Sequence, residues 1–222
     1  MPLKIFIGNN PLFLCQSGFV LPSNEAFDLS DKNLVQENFI NSQTLVELIE
    51  KLENKRQSIA CMLFHSNEEE LINEFNLQYK LINAAGGLVE NSKSEILMIY
   101  RKGKWDLPKG KVEHKEKLVV AAQREVEEET GIKNLSIKSS ISFYHWKQEC
   151  TIHTYWENNK RILKKTSWYL MENNDEINLI PQAEEGITEV KWVKKNSVSE
   201  QLKNSYASVS DVIFYSRMNK KE

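Results

Sequence analysis

Apolar and polar positions alternate from the first residues. Leu3, Ile5 and Ile7 have the period-2 spacing of a strand. "GNNP" (Gly8 to Pro11) supplies a turn, and "LFLC" returns as a second strand. Residues 17–41 are polar and carry no clear period. Leu45, Leu48, Ile49 and Leu52 then recur at i, i+3, i+4 and i+7, which predicts a helix with Ser42 as its cap. "SIACMLF" (Ser58 to Phe64) predicts a buried strand. Ser66 and Glu69 form a candidate capping box before a short helix carrying Leu71, Ile72 and Phe75. From Leu81 the texture changes to strand, turn, strand: "LINAAGGLVE", a polar "NSKS", then "EILMIYR". Strands are also expected in "LSIKSSISFYHW", "CTIHTYW", "ILKKTSWYLM" and "TEVKWV". Leu202, Tyr206, Val209 and Ile213 mark a terminal amphipathic helix.

This order predicts a small α/β unit over residues 1–79, followed over 80–222 by a mixed sheet flanked by helices. The first unit is close to the lower limit for burying its own core. It therefore requires packing on the C-terminal region or on a second copy of the chain, so a homodimer is one expectation. The formal net charge of −2 gives no bulk attraction to nucleic acid or to an anionic membrane. No apolar run is long enough to span a bilayer, and the first ten residues lack the features of a signal peptide. Cys15, Cys61 and Cys150 are odd in number and widely spaced, as expected for reduced thiols in a cytoplasmic protein.

One stretch departs from ordinary patterning. "REVEEETG" (Arg124 to Gly131) has four glutamates within five positions. At about 100° per residue, Glu125, Glu128 and Glu129 share a helix face and Glu127 points away. Arg124 lies one turn before Glu128 and can brace it. Gly131 marks the helix end, so the acids sit where the helix dipole disfavours anions. A run of this kind is usually a solvated face. A hard divalent cation such as Mg²⁺ would offset both the repulsion and the dipole.

The run belongs to a longer pattern. "GKVEHKEKLVVAAQREVEEETGI" (Gly110 to Ile132) reads Gly, five residues, Glu116, seven residues, then Arg124-Glu125-Val126-x-Glu128-Glu129-x-Gly131-Ile132. This resembles the Nudix box, with every defined position filled. "AAGGLVEN" and "EILMIYRKGKWDLPKGK" before the box, and "KKTSWYLM" and "EEGITEVKWV" after it, resemble the strands of a Nudix domain. The resemblance covers roughly residues 80–218; the residues before it resemble no family. It implies an α/β/α sandwich whose box forms loop, helix and loop. It also implies Mg²⁺- or Mn²⁺-dependent hydrolysis of a nucleoside diphosphate linked to another moiety.

By that resemblance Glu128 and Glu129 are the principal metal ligands, and Glu125 ligates a further ion or positions water. Arg124 orients the carboxylates, and Glu116 is an outer ligand or loop brace. Gly110, or the neighbouring Lys109, offers a carbonyl to the metal, and Glu127 is solvated. The general base comes from the box or from a distant loop. There "PQAEEGITEVKWV" offers Glu184 and Glu185, of which Glu184 is the candidate; two solvated acids are the alternative.

Lys109 and Lys111 flank the box glycine and are candidate phosphate contacts. "LPKGK" before the box resembles the branch cleaving diadenosine polyphosphates, and also diphosphoinositol phosphatases and messenger-RNA decapping enzymes. "KKTSWYL" resembles the diadenosine branch and singles out Lys165. Tyr144, His145, Trp146, His153, Tyr155 and Trp156 offer aromatic faces for a base, Tyr155 foremost, although strand aromatics more often pack in a core. The expected substrate is a dinucleoside polyphosphate such as diadenosine tetraphosphate. A nucleotide sugar, an oxidised nucleoside triphosphate or a diphosphoinositol is the alternative, and a nucleotide-sensing module without turnover is the alternative of another class.

Overall fold

The computed structural model describes residues 2–20, 33–54, 59–143, 146, 148–173 and 178–218. Its elements run β1 (Leu3–Ile7), β2 (Asn10–Gln16), β3 (Asn33–Asn38), α1 (Ser42–Glu53), β4 (Ile59–His65), α2 (Glu68–Leu77) and β5 (Lys80–Glu90). They continue with β6 (Glu95–Arg101), β7 (Lys104–Asp106), β8 (Lys109–Lys111), α3 (Leu118–Thr130), β9 (Ser136–Ser140), β10 (Thr151–Glu157) and β11 (Lys160–Glu172). A 3₁₀ turn (Ala183–Glu185), β12 (Ile187–Lys194), α4 (Val198–Leu202) and α5 (Ala207–Met218) complete the chain. Among the described residues, no helix is long and apolar enough to cross a membrane.

Contacts divide the chain into two units: Met1–Ile82 with Phe143–Lys165, and Asn83–Ser142 with Thr166–Glu222. Residues 143–165, grouped by sequence with the C-terminal region, thus belong with the N-terminal one. The reason is strand pairing: β10 lies parallel to β1, with Phe6 opposite His153 and Ile7 opposite Thr154.

In the first unit β1 also pairs antiparallel with β2, β2 lies parallel to β4, and β4 parallel to β3. Ile5, Ile7, Leu12, Leu14, Cys61 and Leu63 present one sheet face to Leu45, Leu48, Ile49 and Leu52 of α1 and to Leu71 and Phe75 of α2. The alternation in β1 and the helical spacing in α1 are therefore two sides of one core. The caps lie one residue away from expectation. Asn41 takes the N–H of Thr44 at 3.0 Å, while Ser42 donates to Glu74 at 2.6 Å. Asn67, not Ser66, accepts the N–H of Glu70 at 3.3 Å. On the other sheet face Trp146 packs on Phe13 with ring centroids 5.1 Å apart. His153 stacks on Tyr155 at 5.8 Å, and Trp156 is exposed beneath Arg161 at 5.0 Å. Tyr155 and Lys165 are half-buried on the strands of this unit. Tyr144 and His145 lie outside the described residues.

In the second unit the apolar run of β6 is buried and pairs antiparallel with β12 and β7. β8 pairs with β5, and β9 with the second half of β11. Helix α3 closes one face of this sheet with Ala121, Ala122 and Val126 against Ala85, Val89, Leu97 and Met171. A Cβ at Gly87 would lie 2.8 Å from Val126 Cγ2 and 2.9 Å from Met171 Sδ. A residue without a side chain is what lets helix and strand meet so closely. Leu118, at the start of the helix, is 42% exposed, whereas Glu129 and Thr130 are buried at its other end. The expected terminal helix is broken, with Leu202 on α4 and Val209, Val212, Ile213 and Tyr215 buried on α5.

Candidate active site

The sharp end of α3 sets the site. Gly131 adopts φ 74°, and its N–H returns to Glu127 O at 2.9 Å. A glycine closes the helix in this left-handed conformation at little cost. Small residues on the inward face hold α3 near the sheet and bring its polar face against the loop before it, residues 107–117.

Arg124 is the hub. Its Nε and Nη2 donate to the two oxygens of Glu116 at 2.9 and 2.8 Å, a bidentate pair. Nη1 reaches Glu125 at 2.8 Å and Glu128 at 3.0 Å, and Nη2 also reaches Lys111 O at 3.1 Å. One guanidinium thus ties three box carboxylates to the loop backbone. Glu116 also accepts the N–H of Glu113 at 2.9 Å. The bonds from Arg124 and then that backbone N–H hold the Glu116 carboxyl down at about 2. Arg124 is held still more firmly protonated by Glu116 first and by Glu125 and Glu128 after it. Gly110 lies under this cluster on β8, opposite Ala85. A Cβ on it would overlap the Glu125 carboxylate.

Glu129 is placed differently. Its side chain is 1% exposed; Oε1 accepts from Arg101 Nη1 at 2.9 Å and Oε2 from the Lys109 backbone N–H at 2.9 Å. Burial pushes its carboxyl up to about 7, against the opposing pull of Lys109 and Arg101. Arg101 also donates to Glu185 at 3.0 Å. Glu184 is exposed on the same 3₁₀ turn. The Lys109 ammonium pairs with Asp106, and that side chain is buried; Lys111 is exposed. Glu127 is half-buried, with Gln123 at 3.0 Å and Lys133 at 3.5 Å, rather than fully solvated.

The fold therefore brings Glu116, Arg124, Glu125 and Glu128 together over Gly110, and turns Glu129 towards Lys109 and Arg101. Among the described residues, no three His, Cys, Asp or Glu side chains are arranged as a ready metal-ligand set. The physical reason is that Arg124 lies among three of the acids, while both oxygens of Glu129 accept protein N–H groups. The donor chemistry still suits a hard divalent ion. Carboxylates are concentrated on one helix face, Glu128 is open to solvent, and the missing side chain at Gly110 lets the Glu125 carboxylate lie against the loop backbone.

Arg101 and Asp106 are the residues that sequence reasoning missed. The one available signal was an arginine ending the otherwise apolar run "ILMIY".

The NUDIX domain model matches residues 80–213. A segment of 68 residues, 28% of this chain and 21% of the other, is 37% identical to the 8-oxo-dGDP phosphatase NUDT18 of Danio rerio. The chain thus spans about a fifth of the length of that curated relative. Among solved structures, a C. elegans Ap4A hydrolase binary complex matches with 21% identity and TM-score 0.47, over 63% of this chain and 97% of that one. The MutT protein of Methanosarcina mazei Go1 matches with 24% identity and TM-score 0.49, over 66% of this chain and 100% of that one.

Proposed function

Because the chain belongs to the Nudix family, we propose that it hydrolyses the pyrophosphate bond of a nucleoside diphosphate derivative with the help of Mg²⁺ or Mn²⁺. The observation carrying this reading is the Arg124 hub, which holds Glu116, Glu125 and Glu128 in one cluster above Gly110. Phosphoryl-transfer sites work chiefly by positioning and charge neutralisation. A bound divalent ion supplies Lewis acidity towards phosphate oxygens and acidifies water. Glu125 and Glu128 would hold it, with Glu116 as outer support and Glu129 available once its present hydrogen bonds give way.

The chain's own residues do the rest. Arg124 fixes the rotamers of three carboxylates that would otherwise repel one another. Glu116 ties that guanidinium to the loop, so loop and helix move as one piece. Glu184, on the turn before β12, is the candidate for accepting a proton from the attacking water, while its neighbour Glu185 is held by Arg101. Lys111, exposed beside Gly110, and Lys109, whose ammonium pairs with Asp106, are the candidate phosphate contacts.

For the substrate we propose a dinucleoside polyphosphate such as diadenosine tetraphosphate, on the likeness of "LPKGK" and "KKTSWYL" to that branch. The Danio rerio relative, an 8-oxo-dGDP phosphatase by name, favours a second reading, an oxidised nucleoside diphosphate. Purified protein with Mn²⁺ or Mg²⁺, assayed against both and against nucleotide sugars, should release product from at least one, and kcat/KM ranks them. Glu128→Gln should remove most of the rate, roughly 10²-fold or more, as loss of a group stabilising the transition state does. Binding of nucleotide without product from any substrate would instead mark a sensing module.

A further inference from the structure

The loop before β12 carries two adjacent acids, and its mode of attachment distinguishes them. Its first half is bound by backbone: Ile180 N–H donates to Thr130 O at 2.8 Å, and Gln182 N–H to Glu129 O at 3.3 Å. These bonds satisfy carbonyls that the end of α3 would otherwise leave open. The acidic tip has a different anchor. Its backbone bonds close on itself, Glu185 and Ile187 N–H to Gln182 O and Gly186 N–H to Ala183 O. The tip runs into β12, where Ile187 pairs with Arg101 of β6, and the Arg101 side chain links the tip to the helix end. Nη1 donates to Glu129 at 2.9 Å and Nη2 to Glu185 at 3.0 Å, so each arm of the fork takes a different carboxylate. A lysine ammonium has no such rigid fork. The far side of Glu129 is fixed as well, by the Lys109 N–H at 2.9 Å. Glu129 is thus a junction between the glycine loop and, through Arg101, the turn bearing Glu185.

We propose that Arg101 is a positioning residue that holds the Glu184–Glu185 turn over the C-terminal end of α3, acting through Glu185. The inference rests on the catalytic reading for its effect on rate, but not for its effect on loop order. Arg101 is drawn from β6, and its strand fixes where the guanidinium sits. Glu185 is 52% exposed and Glu129 1%, so Arg101, at 20%, carries the link from the interior to the surface. Cutting either half of that link releases the same turn.

The test uses the full chain and the variants Arg101→Met, Arg101→Lys, Glu185→Ala and the Arg101→Met/Glu185→Ala double. Glu185 lies on the surface, so its variant tests the link without disturbing the core. Hydrogen exchange of the peptide spanning residues 183–187 is followed without metal. Arg101→Met and Glu185→Ala should each speed exchange by about tenfold, the scale for loss of one charged hydrogen bond. The double variant should be no faster than the faster single, since both break one link. Arg101→Lys should recover only part of the protection. With Mn²⁺ and the best substrate, the singles should lower kcat by about tenfold with KM within about twofold, and again without multiplying. Unchanged exchange in Glu185→Ala, or effects of the two singles that multiply, overturns the proposal. So does a loss of kcat in Arg101→Met that Glu185→Ala does not share, because Arg101 would then act through Glu129 or on substrate directly rather than through Glu185. If the unmodified protein turns over nothing, the catalytic reading fails while the exchange data still decide the link.

Discussion

Arg124 and Arg101 each gather carboxylates in the second unit, yet the acids they gather differ in sequence distance and burial. Arg124 serves Glu116, Glu125 and Glu128, all within eight positions of it in the chain, on a face open enough to leave Glu128 48% exposed. Arg101 reaches Glu129, 28 positions away and buried, and Glu185, 84 positions away and on the surface. The consequence is visible in the acids themselves. Glu116, bonded by a guanidinium near solvent, is held down at about 2, whereas Glu129, cut off from water, is pushed up to about 7 despite its own arginine. Pairing dominates where solvent remains, and desolvation dominates where it does not. Acids of one box, Glu116 on the loop and Glu129 near the helix end, therefore need not share one electrostatic role.

The largest effect should come from breaking the first network. Arg124→Met leaves three carboxylates without their common donor and should lower kcat by roughly 10²-fold, as loss of a positioned electrostatic group does, with KM changed far less; steady-state kinetics with Mn²⁺ checks this. Gly110→Ala should come next. The added methyl meets the Glu125 carboxylate, so the variant should lose about 1–3 kcal/mol of stability, the usual cost of overpacking, together with activity. Thermal unfolding with and without Mn²⁺ would read both.

The pH dependence sharpens the contrast, because the two signs oppose. Glu129 has a folded value above its ordinary 4.5, so the folded state binds the proton more tightly. Its contribution is present in full below about 4.5 and is lost as pH rises through about 7. Glu116 has a folded value near 2, so its contribution is present above 4.5 and is lost as pH falls towards 2. For Glu129 the slope is at most about 1.4 kcal/mol per pH unit, one proton's worth. Urea unfolding in a chelator across pH 2–7 should show Glu129→Gln flattening the upper window and Glu116→Gln the lower. The smallest effect belongs to Glu127, whose partners Gln123 and Lys133 lie outside both networks. Glu127→Ala should change stability by no more than about 0.5 kcal/mol, as surface pairs do, and leave kcat within about twofold.

The two networks also differ in how far they could be read from sequence. The amphipathic helix at Leu45 to Leu52, the strands on either side of the first turn, the end of α3 at Gly131 and the bracing of Glu128 by Arg124 follow from period and spacing. Caps slipped by one residue, because neighbouring Asn and Ser have nearly equal propensity and the tertiary partner of Ser42, Glu74, took it elsewhere.

What the sequence alone determined is therefore local: the helical and strand periods, the box, and the acids and arginine that share a few turns. The periods and the acids beside Arg124 depend on backbone geometry within about two turns of helix, and the box was legible as a linear pattern. Tertiary structure decided which of the acids lost its water, which loop acid an arginine from β6 would reach, and that residues 143–165 would pair with β1. Those outcomes depend on burial and on pairing between distant segments, and the short-range pattern carries neither.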